Sequence, residues 1–521
     1  MSKKIIIGSR GSDLALWQAN FVLQQLKKIG LKAEIKIIKT KGDILQNLSW
    51  DKMEGKGFFT KEIEDTLLNN EIDLAVHSHK DLPTEEIKGL MIAAVSERED
   101  PSELLLINKN AVNEKEKFSL KHNAIVGTSS ARRKSQLLAW RNDLQLQDLR
   151  GNVPTRIQKL RDKKYDAILI ANAGVSRLKI DLKDFHCAKL DPKEFIPAPA
   201  QGVLALQIRE SDKELFKKLQ KLNSKKVQEI ISVERKVMNL FQGGCQLPLG
   251  VYCEKEDSIY KVSVTKAETW NSFPKYFYFE SKKANGLAEK IVDKINSVNP
   301  QTVFISRDEK ENDFFKRCLD ANGYKVFCQS LIEIKQIPVK KFPKTEWIFF
   351  SSKNAVKHFF EQKPNLNGAK FGAVSKTTAE EIRRYGKRAE FIGSANDTRM
   401  TGKKFSALVG SKKVLFPQAK GSLRTIQQQL KKEQVIDAIV YKTIRKKDCQ
   451  LPAANCQLLI FTSPSNVEAF FEKNKINSSQ KVIAMGDATA NALKKFKVKV
   501  NAKPASFDDL GLVQAVMSLK N

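Results

Sequence analysis

A cysteine in a glycine-rich turn is the side chain of this sequence best suited to form a covalent bond with a ligand. Cys245 lies in the segment FQGGCQLPLG, with two glycines directly before it and a proline three residues after it. Such a loop lets a bulky adduct approach the sulfur closely. The alternative is a half-buried structural cysteine, because reactivity depends on thiolate character and access. The loop alone does not decide between the two.

Basic side chains upstream favour the attachment site. Six arginines fall near strand ends or helix starts, namely Arg10, Arg132, Arg133, Arg150, Arg156 and Arg177. A guanidinium group holds a carboxylate or a phosphate through two parallel hydrogen bonds. Each arginine alone is explained by a surface ion pair. Six of them at corresponding positions of alternating strands and helices predict an anion-binding cleft.

One carboxylate and several short polar residues accompany the arginines. Asp81 follows the predicted strand DLAVHS, directly ahead of a proline turn. Ser12 precedes one predicted helix, and Thr128 to Ser130 precede another, where their side chains can cap the helix. Arg132 and Arg133 fall in the first turn of this second helix, where the helix dipole disfavours cations. A bound anion that compensates them is therefore expected.

Metal binding has weaker support. His77 and His79 share one face of a predicted strand, but no third ligand of the right type follows nearby. Structural or substrate-facing histidines fit better. The seven cysteines contain no C-x-x-C pair, which argues against a disulfide framework and a structural zinc site. We predict no metal.

Composition is that of a globular protein with three to five domains. The chain has 521 residues, of which 41% are hydrophobic and 29% charged. It has no run of 18 apolar residues and no signal-peptide pattern, so we expect a cytoplasmic protein without a membrane partner. The net charge of +32 comes mainly from scattered lysines. A solvated basic surface is the first explanation and nucleic-acid binding the second, but no nucleic-acid motif is present.

The motifs require a two-lobed α/β arrangement to bring them together. The segment PAPAQGVLALQI, from Pro197, predicts a return of the chain to a first β/α unit after a second has been built. The cleft between two such lobes is where ligands bind, at the carboxyl ends of the strands. We place the first lobe at residues 1–98 and 200–220, the second at 99–199, and a smaller α/β domain with the Cys245 loop at 221–298.

Six motifs in this order resemble the porphobilinogen deaminase (hydroxymethylbilane synthase) family: SRGSDLALWQA, HSHKDLP, VGTSSARRKSQL, LRGNVPTRIQKL, IPAPAQG and GGCQLPLG. The resemblance covers about residues 4–298. It implies a periplasmic-binding-protein-like module and a dipyrromethane cofactor joined by a thioether to Cys245. It also implies cofactor contacts from Lys56, Thr128, Ser130, Arg132 and Arg133, and substrate contacts from Arg10, Ser12, Arg150, Arg156 and Arg177.

The chemistry implied by this family suits these residue types. Each added porphobilinogen brings an acetate and a propionate, so the growing chain needs cations that never deprotonate. Asp81 matches the catalytic aspartate of the family, which stabilises the cationic azafulvene left after ammonia is lost. Asp13 and His79 depart from many relatives, but neither change removes a charge that the mechanism needs.

The second half contains an internal repeat with a constant offset of 111 residues. The offset relates VFIS to VLFP, FSSKNAV to FTSPSNV, and KTTAEEI to DATANAL. It indicates a duplicated unit of alternating strands and helices, because the period is too long for a solenoid.

Order and motifs of this half resemble uroporphyrinogen-III synthase. The resemblance implies two flavodoxin-like α/β domains, at residues 299–336 with 441–521 and at 337–440. Tyr441 is then the catalytic candidate, and Ser351, Ser463 and Thr489 are the candidates for binding substrate carboxylates at helix starts. Ordinary helix caps and a core-edge tyrosine explain the same residues equally well.

The resulting prediction is a bifunctional, monomeric enzyme of haem biosynthesis. It would polymerise four porphobilinogen molecules into hydroxymethylbilane and close this product to uroporphyrinogen III. The alternative within the family is a deaminase whose C-terminal half is non-catalytic. A two-lobed oxyanion-binding protein would share the arginines but would need neither Cys245 nor Asp81. A nucleic-acid-binding protein would show salt-dependent retention on DNA.

Overall fold

The computed structural model of the chain describes residues 4–40, 60–85, 87–242, 246–366, 368–394, 397–446 and 455–519. These residues form two units. Unit 1 comprises Met1–Pro300, Asn312–Tyr324 and Ala505–Asn521, and unit 2 comprises Gln301–Glu311 and Lys325–Pro504. Within the described ranges, no helix combines the length and the apolar character needed to span a lipid bilayer.

Strands and helices alternate along most of the chain. The first 300 residues form β1 (Ile5–Ser9), α1 (Asp13–Lys28), β2 (Ala33–Ile37), α2 (Lys61–Leu68), β3 (Leu74–Ser78), β4 (Leu90–Val95), β5 (Glu103–Asn108), β6 (Ile125–Gly127), α3 (Ala131–Trp140), β7 (Gln145–Gln147), α4 (Val153–Arg161), β8 (Ala167–Ala171), α5 (Asn172–Leu178), β9 (Phe185–Leu190), β10 (Leu204–Arg209), α6 (Lys213–Leu219), α7 (Lys225–Leu240), β11 (Leu249–Glu256), β12 (Ile259–Lys266), β13 (Lys275–Ser281) and α8 (Leu287–Asn296). The following residues form β14 (Thr302–Ile305), α9 (Phe314–Ala321), β15 (Lys325–Cys328), β16 (Ile332–Gln336), β17 (Trp347–Phe350), α10 (Lys353–Phe360), β18 (Lys370–Ala373), α11 (Lys376–Arg384), β19 (Ala389–Ile392), α12 (Thr398–Val409), β20 (Val414–Ala419), β21 (Val435–Arg445), β22 (Leu458–Phe461), α13 (Pro464–Phe471), β23 (Lys481–Ala484), α14 (Asp487–Lys495) and α15 (Asp509–Ser518).

Two five-stranded sheets form the lobes of unit 1, which confirms the predicted two-lobed α/β fold. The first sheet has the order β2-β1-β3-β10-β4, and the second has the order β7-β6-β8-β5-β9. Strand β10 enters the first sheet antiparallel between β3 and β4, so the chain returns to this sheet after building the second. Its residues Leu204–Ile208, which are apolar except for Gln207, are all buried, as expected for a central strand covered on both faces.

A three-stranded antiparallel sheet, β11-β12-β13, follows in unit 1 together with α7 and α8. Helix α7 packs one face inward, because buried side chains recur three or four residues apart at Val227, Ile230, Val233, Glu234 and Val237. Four of these five side chains are apolar and one is a glutamate. The buried carboxylate needs partners, which are described below.

Unit 2 contains a parallel four-stranded sheet, β15-β14-β22-β23, and a six-stranded sheet, β16-β21-β20-β17-β18-β19. These are the two α/β sheets predicted for the second half. Strand β16 runs antiparallel to β21, and Gln336 lies opposite Tyr441 in their register. The sequence predicts that the chain crosses between the two domains near Gln336 and Tyr441. These two residues therefore lie side by side on paired strands.

Two helices of the second half belong to unit 1. Helix α9 follows β14, and α15 is the last helix of the described chain, yet both lie with the first 300 residues. Helix α15 packs along β13, and α9 packs on α15 and on α3. Alternation of strands and helices does not by itself predict which unit a helix joins.

Candidate active site

A side chain of helix α7 binds the backbone carbonyls of the segment that contains Asp81. Strand β3 ends at Ser78, and a 3-10 turn over His79–Asp81 leaves the Asp81 side chain exposed. The Arg235 guanidinium donates hydrogen bonds to the carbonyl oxygens of His79, at 2.9 Å, and Pro83, at 2.6 Å. Hydrogen bonds from a charged donor are stronger than neutral ones. Asp81 is therefore presented to solvent from a backbone that is fixed on both sides.

The same helix leads directly to the cysteine loop. Helix α7 ends at Leu240, and Gln242 is the last described residue before the loop. Cys245 lies outside the described residues, as does Lys56. One rigid element thus carries both the support of Asp81 and the start of the loop with the thiol.

Arg132 and Arg133 share a buried glutamate. In the structure Arg132 donates to Glu103 Oε1 and Arg133 donates to Glu103 Oε2, each at 2.7 Å. Arg132 also donates to the Ile196 carbonyl, and Arg133 donates to that of Leu169, each at 3.0 Å. The Glu103 side chain is fully buried. Burial raises the pKa of Glu103, but the charges of Arg133 and Arg132 outweigh this effect and lower it. The sequence predicts a bound anion that compensates these two arginines, and the Glu103 carboxylate supplies part of that negative charge.

One nitrogen of the arginine pair is still able to donate a hydrogen bond. The Nε atom of Arg133 is buried and has no hydrogen-bond partner among the described residues. Lys80 donates to Gln201 Oε1 at 3.1 Å, and burial lowers the pKa of Lys80, with Asp81 opposing the shift. Burial, followed by the charge of Arg133, lowers the pKa of Arg156 to about 10, again with Asp81 opposing. These cations lie within electrostatic reach of Asp81 or Glu103, and in the part of the chain that the structure describes they outnumber these two carboxylates.

Of the remaining predicted arginines, Arg10 and Arg150 lie between a strand and a helix, Arg156 lies in the first turn of α4, and Arg177 lies near the C-terminal end of α5. Arg177 is buried, donates to the Gly202 carbonyl at 2.7 Å and lies over the Trp17 ring. Arg156 donates to the Gly151 carbonyl at 2.7 Å. Arg10 and Arg150 are half-buried.

The predicted helix caps differ in their side-chain bonds. Ser130 is the N-cap of α3, and its Oγ accepts from the Arg133 backbone N–H at 3.4 Å. Thr128 Oγ1 accepts from the Ser130 N–H at the same distance. Ser12 occupies the N-cap position of α1 but makes no side-chain capping bond. Its hydroxyl is not used in capping the helix.

The two histidines are buried. Burial lowers the pKa of His77 to about 4 and, together with the Arg235 charge, lowers that of His79 to about 3. His77 Nε2 lies 3.1 Å from Gln207 Oε1. In the ranges that the structure covers, no group of three or more His, Cys, Asp or Glu side chains could hold a metal ion. Both histidines are neutral at pH 7 and lie in the buried segment that leads to Asp81.

Comparison with known proteins places the two halves in separate families. Residues 5–217 match the family model described as porphobilinogen deaminase, dipyromethane cofactor binding domain, and residues 285–514 match that of uroporphyrinogen-III synthase HemD. The porphobilinogen deaminase of Bacillus cereus strain B4264 is 45% identical over 252 residues, which is 48% of this chain and 80% of the relative. That of Bacillus anthracis strain CDC 684 is 44% identical over the same shares. The chain belongs to the porphobilinogen deaminase family. It is a fusion of such a deaminase with a uroporphyrinogen-III synthase region.

Solved structures align with parts of the chain. A uroporphyrinogen-III synthetase of Helicobacter pylori aligns with 41% of this chain and 96% of its own length, at 20% identity and a TM-score of 0.31. An arginine-specific periplasmic binding protein of Salmonella typhimurium aligns with 44% of this chain and 94% of its own length, at 9% identity and a TM-score of 0.27.

The residues of the deaminase cleft fit the dipyrromethane cofactor of this family. Burial lowers the pKa of Lys80, Arg156 and Arg177, so the surroundings of these cations disfavour their charge. Burial also lowers the pKa of Arg132, although Glu103 compensates part of that charge. Carboxylates of a bound group would supply the missing compensation. The unpartnered Nε of Arg133 offers one more donor.

The sequence analysis identified neither Glu103 nor Glu234, the two fully buried carboxylates of the described deaminase half. Glu234 on α7 is fully buried and accepts from both terminal nitrogens of Arg98, at 2.7 and 3.3 Å. It also accepts from the backbone N–H groups of Ala200 and Cys253, each at 2.7 Å. Arg98 and Ala200 lie at the two predicted lobe crossings, so Glu234 ties α7 to both. A carboxylate at a core position of an amphipathic helix was the available signal.

In the synthase half, the structure joins one candidate to a neighbouring serine. Tyr441 is buried, and its hydroxyl lies 3.2 Å from Ser352 Oγ, the N-cap of α10. Ser351 is exposed at the same junction and is not the cap. Ser463 caps α13, and Thr489 is buried in the first turn of α14. Tyr441 and Ser352 thus form one polar group, and Ser463 and Thr489 lie on two helices that pack together.

Proposed function

We propose that this chain converts porphobilinogen to hydroxymethylbilane with release of ammonia, and then closes that linear tetrapyrrole to uroporphyrinogen III. The position of helix α7 supports the proposal for the first step. Helix α7 supports the Asp81 segment through Arg235 and leads into the Cys245 loop. Both are thereby joined to a cleft with an excess of buried cations.

Cys245 is the attachment point that we propose for the dipyrromethane cofactor, through a thioether. The bound group supplies the free pyrrole carbon to which new rings are added. Its carboxylates would be held by a set of basic and hydroxyl side chains, namely Arg132, Arg133, Ser130, Thr128 and Lys56. Arg132 and Arg133 are pre-positioned for this role, since Glu103 fixes one nitrogen of each while other donors remain.

The substrate would be bound by the remaining cations of the cleft, which are Arg10, Arg150, Arg156 and Arg177, with Ser12. Loss of ammonia from porphobilinogen leaves a cation on the pyrrole ring. An exposed carboxylate on a fixed backbone is suited to stabilise that charge and to move the proton released when the new carbon–carbon bond restores the aromatic ring. We assign this role to Asp81.

For the second step we propose that the helix starts of unit 2 hold the carboxylates of the linear tetrapyrrole. Backbone N–H groups at these positions favour anions. Ser351, Ser463 and Thr489 lie at three such starts, and the Tyr441 hydroxyl is the proposed donor to the departing hydroxyl group of hydroxymethylbilane. We also propose that the protein acts as a monomer in the cytoplasm and does not bind nucleic acid, which size-exclusion chromatography with light scattering and a DNA retention assay would test.

Intact mass and product analysis test the two steps separately. The purified chain from a haem-competent host should be heavier than its sequence by one dipyrromethane, and Cys245→Ser should have the bare mass. Wild-type protein given porphobilinogen should yield mainly the type III isomer, because hydroxymethylbilane released into water closes to the symmetric type I ring. A bare wild-type mass would overturn the cofactor assignment. Exclusive formation of type I would overturn the synthase assignment while leaving the deaminase intact.

A further inference from the structure

Two helices of the synthase half lie against the deaminase part of unit 1. Helix α9 follows the first strand of the synthase region, and α15 lies at the C-terminal end of the region that matches the synthase family. Both belong to unit 1 together with the two lobes and the β11–β13 sheet. Their contacts there are specific.

Helix α9 packs on the last turn of α3. The rings of Phe314 and Trp140 stack with centroids 3.8 Å apart and an angle of 7°. Arg317 of the same helix donates to the carbonyl oxygen of Ala139. The last turn of a helix leaves carbonyls without partners inside the helix, and here a cation from α9 binds one of them. The Tyr276 ring of β13 meets Phe314 edge-on at 5.8 Å, so α9 also reaches the small sheet.

Helix α15 covers the open edge of that sheet. Strand β13 is an outer strand, because within the described ranges β12 is its one neighbour in the sheet. The Tyr276 N–H donates to Met517 Sδ at 3.4 Å, and the Tyr278 N–H donates to Ser518 Oγ at 3.0 Å. Unpaired N–H groups of an edge strand invite pairing with other chains unless something covers them. Two side chains of α15 satisfy them, and both Tyr276 and Met517 are fully buried.

We infer that α9 and α15 complete the deaminase, so that the deaminase part of the fusion does not end at residue 300 but requires both helices for its stability. Helix α3 connects this role to the cleft. Its first turn carries Arg132 and Arg133, and its last residue, Trp140, is the one on which α9 stacks. Phe314 therefore acts as a positioning residue for the helix that presents the arginine pair.

Hydrogen exchange of the full-length chain tests this inference without relying on either activity. Phe314→Ala removes the stacked ring, and large-to-small changes of this kind loosen the surrounding structure. We expect at least tenfold faster amide exchange in Ala131–Trp140 and Lys275–Ser281, and faster heat inactivation of the deaminase. Phe314→Leu keeps an apolar side chain and should give a smaller change in the same segments, which preserves the test if the alanine variant does not fold.

Phe470→Ala is the matched control. Phe470 is a buried phenylalanine of unit 2 that packs on Phe461. Its loss should speed exchange in unit 2 and leave both deaminase segments unchanged. The inference is overturned if Phe314→Ala leaves those segments at the wild-type rate, or if Phe470→Ala accelerates them equally. Because exchange is read from the fold, failure of the proposed activities would not affect this result.

Discussion

Replacing Glu103 by glutamine should destabilise unit 1 more than any change to its surface charges. The carboxylate is fully buried and accepts one hydrogen bond at 2.7 Å from each of Arg132 and Arg133. Glutamine has nearly the same shape, so the packing is kept. Its amide oxygen can still accept from one arginine, but its NH₂ group is a donor and must face the donor of the other. The substitution therefore leaves two buried cations without a counter-charge.

The size of the effect follows from the cost of breaking a buried ion pair. Removing one partner of such a pair costs about 3–5 kcal/mol, since the remaining charge stays buried. For a domain of this size each kcal/mol shifts the midpoint of thermal unfolding by about 2–4 °C. Calorimetry of the cofactor-free protein should therefore show the unit 1 transition of Glu103→Gln about 10 °C below that of the wild type. Bound cofactor should narrow the difference, because its carboxylates would compensate the same arginines.

Glu214→Gln is the matched control for this experiment. Glu214 pairs with Lys218 on the surface of α6, and its side chain is 81% exposed. Exposed pairs contribute little, so this variant should unfold with the wild type. A shift of less than about 2 °C for Glu103→Gln would show that the arginine pair does not depend on this carboxylate.

Three further outcomes are expected. Asp81→Asn should retain fold and cofactor but lower porphobilinogen turnover roughly 100- to 1000-fold. Asp13→Asn, at an exposed position in the first turn of α1, should leave turnover unchanged. Near-normal turnover by Asp81→Asn would remove Asp81 from the mechanism. The pKa of His77 is lowered from 6.5 to about 4, so the unfolded chain takes up the proton first and the folding stability should fall by about 3 kcal/mol as the pH drops from 6.5 to 4. His77→Gln should remove this part of the pH dependence, whereas His122→Gln, at an exposed position, should not. Denaturant unfolding at several pH values measures the difference. Tyr441→Phe should lower the share of type III product. Ser352→Ala removes the same hydrogen bond but keeps the phenol, so it should lower that share less. Equal product ratios in the two variants would show that Tyr441 acts only as a core residue.

Local signals in the sequence predicted the elements and many of their ends. Ser130 and Ser463 cap the helices that follow them, and the segment after Pro197 returns the chain to the first sheet. The partners of Glu103 and Arg235 could not be predicted in this way. They lie about 30 and more than 150 residues away in the chain, and no periodicity connects them.

The sequence also did not predict that α9 and α15 belong to unit 1. An amphipathic helix shows that it covers apolar surface, but its sequence does not state which surface. The predicted boundary near residue 299 rested on where one family pattern stops and the next begins. The structure puts two helices from beyond that boundary into unit 1.

The cover of β13 by α15 has a consequence during synthesis. The edge N–H groups of Tyr276 and Tyr278 are satisfied by Met517 and Ser518, which leave the ribosome last among the described elements. At about 5–20 residues per second, the stretch between them takes roughly 10–50 seconds to translate. Throughout that interval the nascent deaminase carries an open strand edge that can pair with another nascent chain on the same messenger. Slower translation of the second half should therefore raise the aggregated fraction of the protein, and faster translation should lower it.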